Sequence, residues 1–293
     1  MFDSVIGHYS PKEMLLNDIE KNKVSHAYAF VGPKGIGKKL LSDEFAKQLL
    51  KTENLNIAVD YKYIKKLDGK KNILIEQIRK ELVDDVYISP AASRYKVYVI
   101  DDADDLNSES QNALLKTLEE PPSYVCIILI TENIQNFLPT VVSRVKQIKF
   151  DKLSNEEITN YCIKNDIENS FTENMLKYID GSIGKLFNLK DENEMNIFYE
   201  AEKIVKCIKA KKELEIIKML DKVSLKSTNI LDYLQYLLYI NQLYLPMFEI
   251  ENARKKLRYN SNEDIVKTMF VINSCKWKEA KNGKQERRYN LRS

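Results

Sequence analysis

The 293-residue chain is poor in the residues that build disulfide-linked or metal-stabilised proteins. It has four cysteines: Cys126, Cys162, Cys207 and Cys275. No two of them have the short spacing of a metal-ligand pair. The sequence therefore predicts four reduced, mostly buried thiols and no zinc or other structural metal.

Long apolar runs are also missing. The longest strongly apolar stretches, such as residues 125–130, are far shorter than the ~20 residues of a membrane span. Charged residues at Asp3, Lys12 and Glu13 make a signal peptide unexpected. Neither sign of charge dominates, since 46 basic and 43 acidic residues leave a net charge of +3. We expect a cytoplasmic protein without membrane contact, and the charge alone argues neither for nor against nucleic-acid binding.

Glycine and proline are scarce toward the end of the chain. The last hundred residues hold one proline, Pro246, and one glycine, Gly283, amid Leu, Ile, Lys and Glu. This shift predicts an α/β front half and a helical back half. The stretch from Lys276 onward is basic, which is typical of a solvated tail but also of a DNA-binding arm.

The front half alternates short apolar runs with helical patterns. Strands are predicted at 27–31, 97–100 and 125–130, and helices near 38–50, 75–82 and 108–118. Strands separated by helices predict a parallel sheet covered on both faces. Ser108 with Gln111, and Ser154 with Glu157, have the spacing of capping boxes that open helices.

A glycine-rich loop follows the first predicted strand and opens a helix. Gly32, Gly35 and Gly37 allow backbone N–H groups to turn inward around phosphate oxygens. Lys38 lies where it can neutralise the terminal phosphates, and the helix start adds its positive dipole end. The pattern predicts a phosphate-binding loop. The next residue should carry a hydroxyl that binds Mg²⁺, but it is Lys39, which adds positive charge there.

A second predicted strand ends in carboxylates. Asp101 is expected at the carboxyl edge of the sheet, where Mg²⁺ would lie. Asp102 stands where an ATPase carries a catalytic glutamate, and its side chain is one methylene shorter. We interpret Asp104 and Asp105 as a solvated acidic turn.

Four segments together resemble the AAA+ clamp loaders of bacterial replication. They are Phe2 with 5–7, 26–30 before the loop, 112–122 after the acidic strand, and 143–145. The resemblance covers roughly residues 1–190. It implies an AAA+ α/β phosphate-loop domain with a parallel sheet at 1–150, a small helical lid at 151–192, and an all-helical collar at 193–293. The family's four-cysteine zinc module has no counterpart at 51–60.

The resemblance also implies roles for single residues. Ser143 and Arg144 match the motif whose arginine reaches the ATP of a neighbouring subunit, although an arginine paired with a surface carboxylate remains an alternative. Thr131 occupies the sensor position, or caps a strand end. Gly184 stands where ATP-hydrolysing subunits carry a phosphate-sensing arginine.

Lys39, Asp102 and Gly184 each depart from the hydrolytic pattern. They favour a non-hydrolysing subunit, with no cofactor required, over an ATP-hydrolysing gamma/tau type. The residues leave open whether ATP binds without turnover. A P-loop kinase would leave 112–122 unexplained, and a helical DNA-binding protein fits the balanced charge poorly. The implied partners are clamp-loader subunits of the gamma/tau and delta types, and through them the sliding clamp and primed DNA.

Overall fold

In the computed structural model, which describes residues 2–165, 171–188, 192–225, 228–259 and 261–275, the described strands form one parallel sheet. Its order is β2-β3-β4-β1-β5. The strands are β1 (Ala27–Val31), β2 (Tyr61–Ile64), β3 (Lys96–Ile100), β4 (Val125–Thr131) and β5 (Lys146–Lys149). All pairings are parallel, so the carboxyl ends of the strands share one edge.

The chain divides into two units, residues 1–170 with 179–186 and residues 171–178 with 187–293. The helices up to residue 165 are α1 (Tyr9–Glu20), α2 (Lys38–Leu50), α3 (Ile75–Ile78), α4 (Ser108–Glu119), α5 (Pro139–Val142) and α6 (Asn155–Lys164). A π-helical turn over Arg79–Val83 extends α3. The later helices are α7 (Glu173–Ile179), α8 (Ile183–Asn188), α9 (Glu192–Ala210), α10 (Glu213–Leu220), α11 (Thr228–Ile240), α12 (Tyr244–Arg258) and α13 (Glu263–Cys275).

The sheet is buried on both faces because its strands alternate between two cores. Ala27 and Ala29 of β1 face the core that α4 and α5 cover, while Tyr28 and Phe30 face the core that α2 covers. Small residues on one face and aromatic rings on the other are the period-two pattern of a central strand. The predicted parallel α/β fold is confirmed, as is the helical character of the later part of the chain.

The sequence missed the two edge strands. In β5 only Ile148 is buried, and Lys146, Gln147 and Lys149 are exposed, so the strand has no apolar run. The capping box of Ser154 and Glu157 is present as predicted. The one proposed at Ser108 is wrong, because Asn107 is the N-cap of α4 and accepts a hydrogen bond from the Ser110 backbone. The basic stretch from Lys276 lies outside the described residues.

The second unit is helical and has an aromatic core. The rings of Phe198 and Tyr233 lie 4.6 Å apart between centroids, and Tyr178 lies 5.0 Å from Tyr233. The Tyr233 hydroxyl donates a hydrogen bond of 2.7 Å to Glu202. This bond satisfies the polar group that the buried ring brings with it.

The described residues were expected to contain neither a membrane-spanning helix nor a metal site. None of the helices there has the length and apolar character needed to cross a membrane. No group of His, Cys, Asp or Glu side chains within the described ranges has the arrangement of a metal site. The four cysteines predicted to be buried thiols are buried.

Asp60 anchors the loop before β3 at the amino edge of the sheet. Its carboxylate accepts hydrogen bonds from the backbone N–H groups of Ala91 at 2.7 Å, Ala92 at 2.8 Å and Ser93 at 2.9 Å. Burial alone would raise the pKa of Asp60, but these hydrogen bonds outweigh it and hold the pKa below the usual range. A depressed folded-state pKa stabilises the protein above the unfolded value of ~4, and this stabilisation is lost as the pH falls.

We predict that Asp60→Asn lowers the free energy of unfolding by about 2–3 kcal/mol at pH 7, because one acceptor oxygen becomes a donor facing N–H groups. The difference from the wild type should be smaller at pH ~3, because below the unfolded-state pKa of ~4 the wild type progressively loses the stabilisation that comes from the depressed pKa of Asp60. Urea denaturation at both pH values measures it. Asp68→Asn, at an exposed position, is the matched control. An equal loss at both pH values would contradict the charge-dependent role.

Candidate functional site

The phosphate loop connects β1 to α2, as the sequence predicted. The Gly32 N–H donates a hydrogen bond of 3.1 Å to the carbonyl of Thr131, which ties the start of the loop to β4. Gly35 and Gly37 adopt left-handed φ angles of +73° and +104°, which side chains disfavour. Helix α2 then begins at Lys38. Gly32, Gly35, Gly37 and Lys38 are thus brought together in one turn.

Lys38 is folded into its own loop. Its side chain is buried, and the ammonium donates hydrogen bonds to the carbonyl oxygens of Gly32 and, at 2.6 Å, of Pro33. Burial lowers the pKa of Lys38, although nearby carboxylates, with Glu132 the strongest, act in the opposite direction. The cation predicted to meet phosphate therefore has acceptors within the chain.

Lys39 is paired within its own helix. Its ammonium forms an ion pair of 2.7 Å with Asp43, one helical turn later, and lies 4.7 Å from the ring centre of Tyr63. Asp43 also accepts a hydrogen bond of 2.9 Å from Tyr61. No hydroxyl takes the position after Lys38, so a magnesium ion would lack the ligand that this position normally supplies.

The carboxylates after β3 are also bonded within the chain. Asp101 accepts a hydrogen bond from the Tyr63 hydroxyl. Burial is the larger cause that raises the pKa of Tyr63, and this hydrogen bond raises it further. Asp102 has a left-handed φ of +46° and forms an ion pair of 3.2 Å with Lys34. The groups of this ion pair are both more than half exposed, so it contributes little to stability.

Asp104 is not the solvated turn residue that the sequence suggested. It accepts hydrogen bonds from the Thr131 hydroxyl at 2.7 Å, the Glu132 N–H at 2.7 Å and the Asn136 amide at 2.8 Å. Burial alone would raise the pKa of Asp104, but the hydrogen bonds lower it overall. The hydroxyl of Thr131, at the end of β4, thus donates a hydrogen bond to a carboxylate of this chain. Asp105 likewise has a partner, Lys66, at 2.6 Å.

Gln111 links two loops at this edge of the sheet. Its buried amide donates to the carbonyl oxygens of Leu106 at 3.0 Å and Asn136 at 3.1 Å, and accepts from the Leu138 N–H at 2.8 Å. The connection after the acidic strand is thereby tied to the connection that leads into α5. Sequence reasoning assigned Gln111 only a capping role, because nothing local shows three partners from other segments.

Ser143 and Arg144 follow the short helix α5. The Arg144 guanidinium forms an ion pair of 3.0 Å with Glu119 and donates a hydrogen bond of 2.8 Å to the carbonyl of Thr140. The Ser143 hydroxyl also donates to Thr140, at 3.1 Å, and accepts from Arg144 at 3.1 Å. One third of the Arg144 side chain is exposed. Of the two alternatives for Arg144, the carboxylate pairing is present within the chain.

Residues 7–154, about half of the chain, match the family described as DNA polymerase III, delta subunit. The chain belongs to this family.

The sequence relatives of this delta-subunit family member include proteins named as gamma and tau subunits. DNA polymerase III subunit gamma of Buchnera aphidicola (subsp. Schizaphis graminum) is 32% identical over 212 residues, covering 64% of this chain and 57% of the relative. The tau/gamma subunit of Haemophilus influenzae is 32% identical over 198 residues, covering 63% of this chain and 28% of the relative. The chain therefore spans between about a quarter and somewhat more than half of the relatives it matches.

A solved structure supports the fold of this family member. The gamma subunit-related protein of Thermotoga maritima has a TM-score of 0.54 and 20% sequence identity, and the match covers 90% of this chain and 98% of that one. At this identity the likeness bears on the fold alone.

We predict that Gln111→Ala lowers the free energy of unfolding by about 2–4 kcal/mol, because it leaves two carbonyl groups and one N–H without their partner. Chemical denaturation of the purified variant measures the loss. Asn112→Ala, on an exposed position of the same helix, should change it by less than ~0.5 kcal/mol. A loss for Gln111→Ala no larger than that of the control would show that the three bonds do not hold the loops.

Proposed function

We propose that the chain is a non-hydrolysing, delta-prime-type subunit of a bacterial DNA polymerase III clamp loader. Its family membership and its gamma-named relatives support a place in this assembly. The observation that carries the proposal is the internal pairing of the nucleotide site. The groups that would meet phosphate, metal or water are bonded within the chain: Lys38 to loop carbonyls, Lys39 to Asp43, Asp101 to Tyr63, Asp102 to Lys34, and Thr131 to Asp104.

These residues do not fit a hydrolytic centre for magnesium–ATP. Hydrolysis in this class of site needs a hydroxyl ligand for Mg²⁺ after the loop lysine and a group that orients the attacking water. Lys39 supplies a cation instead of the hydroxyl, and Asp102 is tied to Lys34. Gly184 has no side chain with which to contact a γ-phosphate. The chain's own site is therefore proposed not to hydrolyse ATP.

Arg144 is proposed to act at the ATP site of a neighbouring subunit. A guanidinium supplied in trans stabilises the charge that develops on the transferred phosphoryl group and contributes ~10³–10⁵ in rate in well-studied GTPases. Its present partner, Glu119, is about half exposed, and such surface ion pairs contribute only ~0–1 kcal/mol. A triphosphate carries several negative charges, so it would compete well for Arg144.

The remaining parts of the chain also have proposed roles. Residues 151–192 would act as the lid and 193–293 as the collar through which the subunit assembles with gamma/tau and delta types. The assembly would open the sliding clamp and place it on primed DNA in the cytoplasm. This chain would contribute structure and Arg144 to that work.

An ATP-hydrolysing gamma/tau-type subunit is the second candidate. The sequence relatives favour it, since those at 32% identity carry gamma and tau/gamma names. The absence of a hydroxyl at position 39 and of an arginine at position 184 argue against it. Turnover by the isolated chain separates the two candidates.

We predict that the isolated chain hydrolyses ATP far more slowly than ~1 s⁻¹, the low end of usual enzyme turnover. Lys39→Thr should not restore activity, because Asp102 and Gly184 remain unsuited to hydrolysis. Phosphate release in the presence of Mg²⁺ measures both proteins, with a gamma-type subunit as the positive control. Turnover near 1 s⁻¹ or above would favour the gamma/tau type.

We predict that Arg144→Ala slows DNA-stimulated ATP hydrolysis and clamp loading by a complex reconstituted with the other subunits. Only one of the ATP sites should be affected, so the loss of total hydrolysis is partial. The free energy of unfolding should change by less than ~1 kcal/mol, because the lost ion pair is partly exposed to solvent. Arg144→Lys should rescue poorly, since an ammonium cannot make the planar two-pronged contact with phosphate.

The control for this experiment is Arg94→Ala, which removes an exposed arginine from the loop before β3. Its hydrogen bond is to Asn22 and not to the α4–α5 region. Equal hydrolysis and equal clamp loading by the Arg144→Ala and wild-type complexes, at saturating ATP and DNA, would exclude the trans role.

A further inference from the structure

Residues 179–186, here called the strap, pack with the α/β unit although they are distant from its sheet in sequence. The side chains of Ile179, Ile183 and Leu186 are buried. The Leu153 N–H donates a hydrogen bond of 3.3 Å to the carbonyl of Gly181. The strap is therefore fastened to this unit by apolar burial and by backbone contact.

Helix α8 begins within the strap, and its start uses the phosphate loop. The first N–H groups of a helix have no acceptor inside the helix. Here the hydroxyl of Ser182 accepts from the Lys185 N–H at 3.3 Å. The Gly184 N–H donates to the carbonyl of Gly35, in the phosphate loop, at 2.7 Å. The acceptor of this hydrogen bond therefore belongs to the loop that would hold nucleotide.

The close approach depends on glycine at both positions. A Cβ on Gly35 would lie 2.4 Å from the Ser182 hydroxyl, and its left-handed φ of +73° also disfavours a side chain. A Cβ on Gly184 would lie 3.1 Å from the Gly35 Cα and 3.4 Å from its carbonyl oxygen. Since the neighbour of Gly184 is backbone rather than a flexible side chain, a methyl group there would require the strap and the loop to move apart by a few tenths of an ångström.

We propose that the Gly184–Gly35 hydrogen bond is a latch that holds the strap against the phosphate loop whether or not nucleotide is bound. A ligand shifts a conformational equilibrium only by its difference in affinity for the two states. If the closed arrangement already dominates, nucleotide is not what closes this segment. The latch is a property of the free chain and does not depend on whether the site hydrolyses ATP.

Hydrogen–deuterium exchange of the full chain without nucleotide tests the latch. We expect the amides of 182–186 to be protected, and to remain equally protected when Mg²⁺ and ATP are added. Gly184→Ala should make these amides exchange about tenfold faster, as expected when one hydrogen bond is lost. If the substitution acted only through local helix propensity, exchange would become slower, because alanine stabilises a helix relative to glycine.

Asp180→Asn is the matched control within the strap. Asp180 pairs with Lys152 on the surface and has a left-handed φ of +48°, which asparagine tolerates. It should leave exchange at 182–186 unchanged. Protection of β1 and β4 in both variants verifies folding.

Three results would overturn the latch. The first is rapid exchange of 182–186 in the nucleotide-free wild type. The second is protection that develops only when Mg²⁺ and ATP are added. The third is slower or unchanged exchange in Gly184→Ala. A measurement of ATP turnover on the same wild-type sample keeps the latch separate from the proposed function, since the wild-type chain could hydrolyse ATP and still show the latch.

Discussion

A parallel sheet must bury both faces, and that requirement determines where the polar residues of this chain lie. The central strands are largely apolar apart from end residues such as Lys96 and Thr131, so most polar and charged groups lie at the strand ends and in the connections beyond them. Because the strands run in one direction, the connections after β1, β3 and β4 all emerge at one edge. The phosphate loop, the acidic turn and Thr131 meet there, although the chain separates them by up to a hundred residues.

The chemistry at this edge follows from how the charges are paired. In a hydrolytic site, cations and carboxylates are left to metal and phosphate, and here the chain supplies the partners itself. Lys38 donates hydrogen bonds to loop carbonyls, and Lys39 forms an ion pair with Asp43. Asp101 accepts a hydrogen bond from the Tyr63 hydroxyl. Releasing these groups for a ligand would first require breaking internal contacts, several of them partly buried. That arrangement is the basis of the proposed non-hydrolysing role.

Segments around the site are also joined to one another by hydrogen bonds within the chain. Gln111 ties the acidic-strand connection to the segment that leads to Arg144, and Gly184 ties the strap to the phosphate loop. In both cases a polar group of one segment satisfies the backbone of another. Buried backbone groups need such partners, so these contacts set the relative positions of loops that would otherwise move independently.

The sequence by itself determined the central strands, the phosphate loop, the capping box at Ser154 and the position of the acidic residues, because each depends on residues close together in the chain. The same short-range patterns missed β2 and β5, which are edge strands of four residues without a long apolar run. Only the tertiary structure decided what each polar residue contacts: that Asp104 is bonded to Thr131, that Glu119 holds Arg144, and that Gly184 meets Gly35. A hydrogen bond between distant segments leaves no periodic trace in the sequence, since its partners are brought together only when the sheet buries both of its faces.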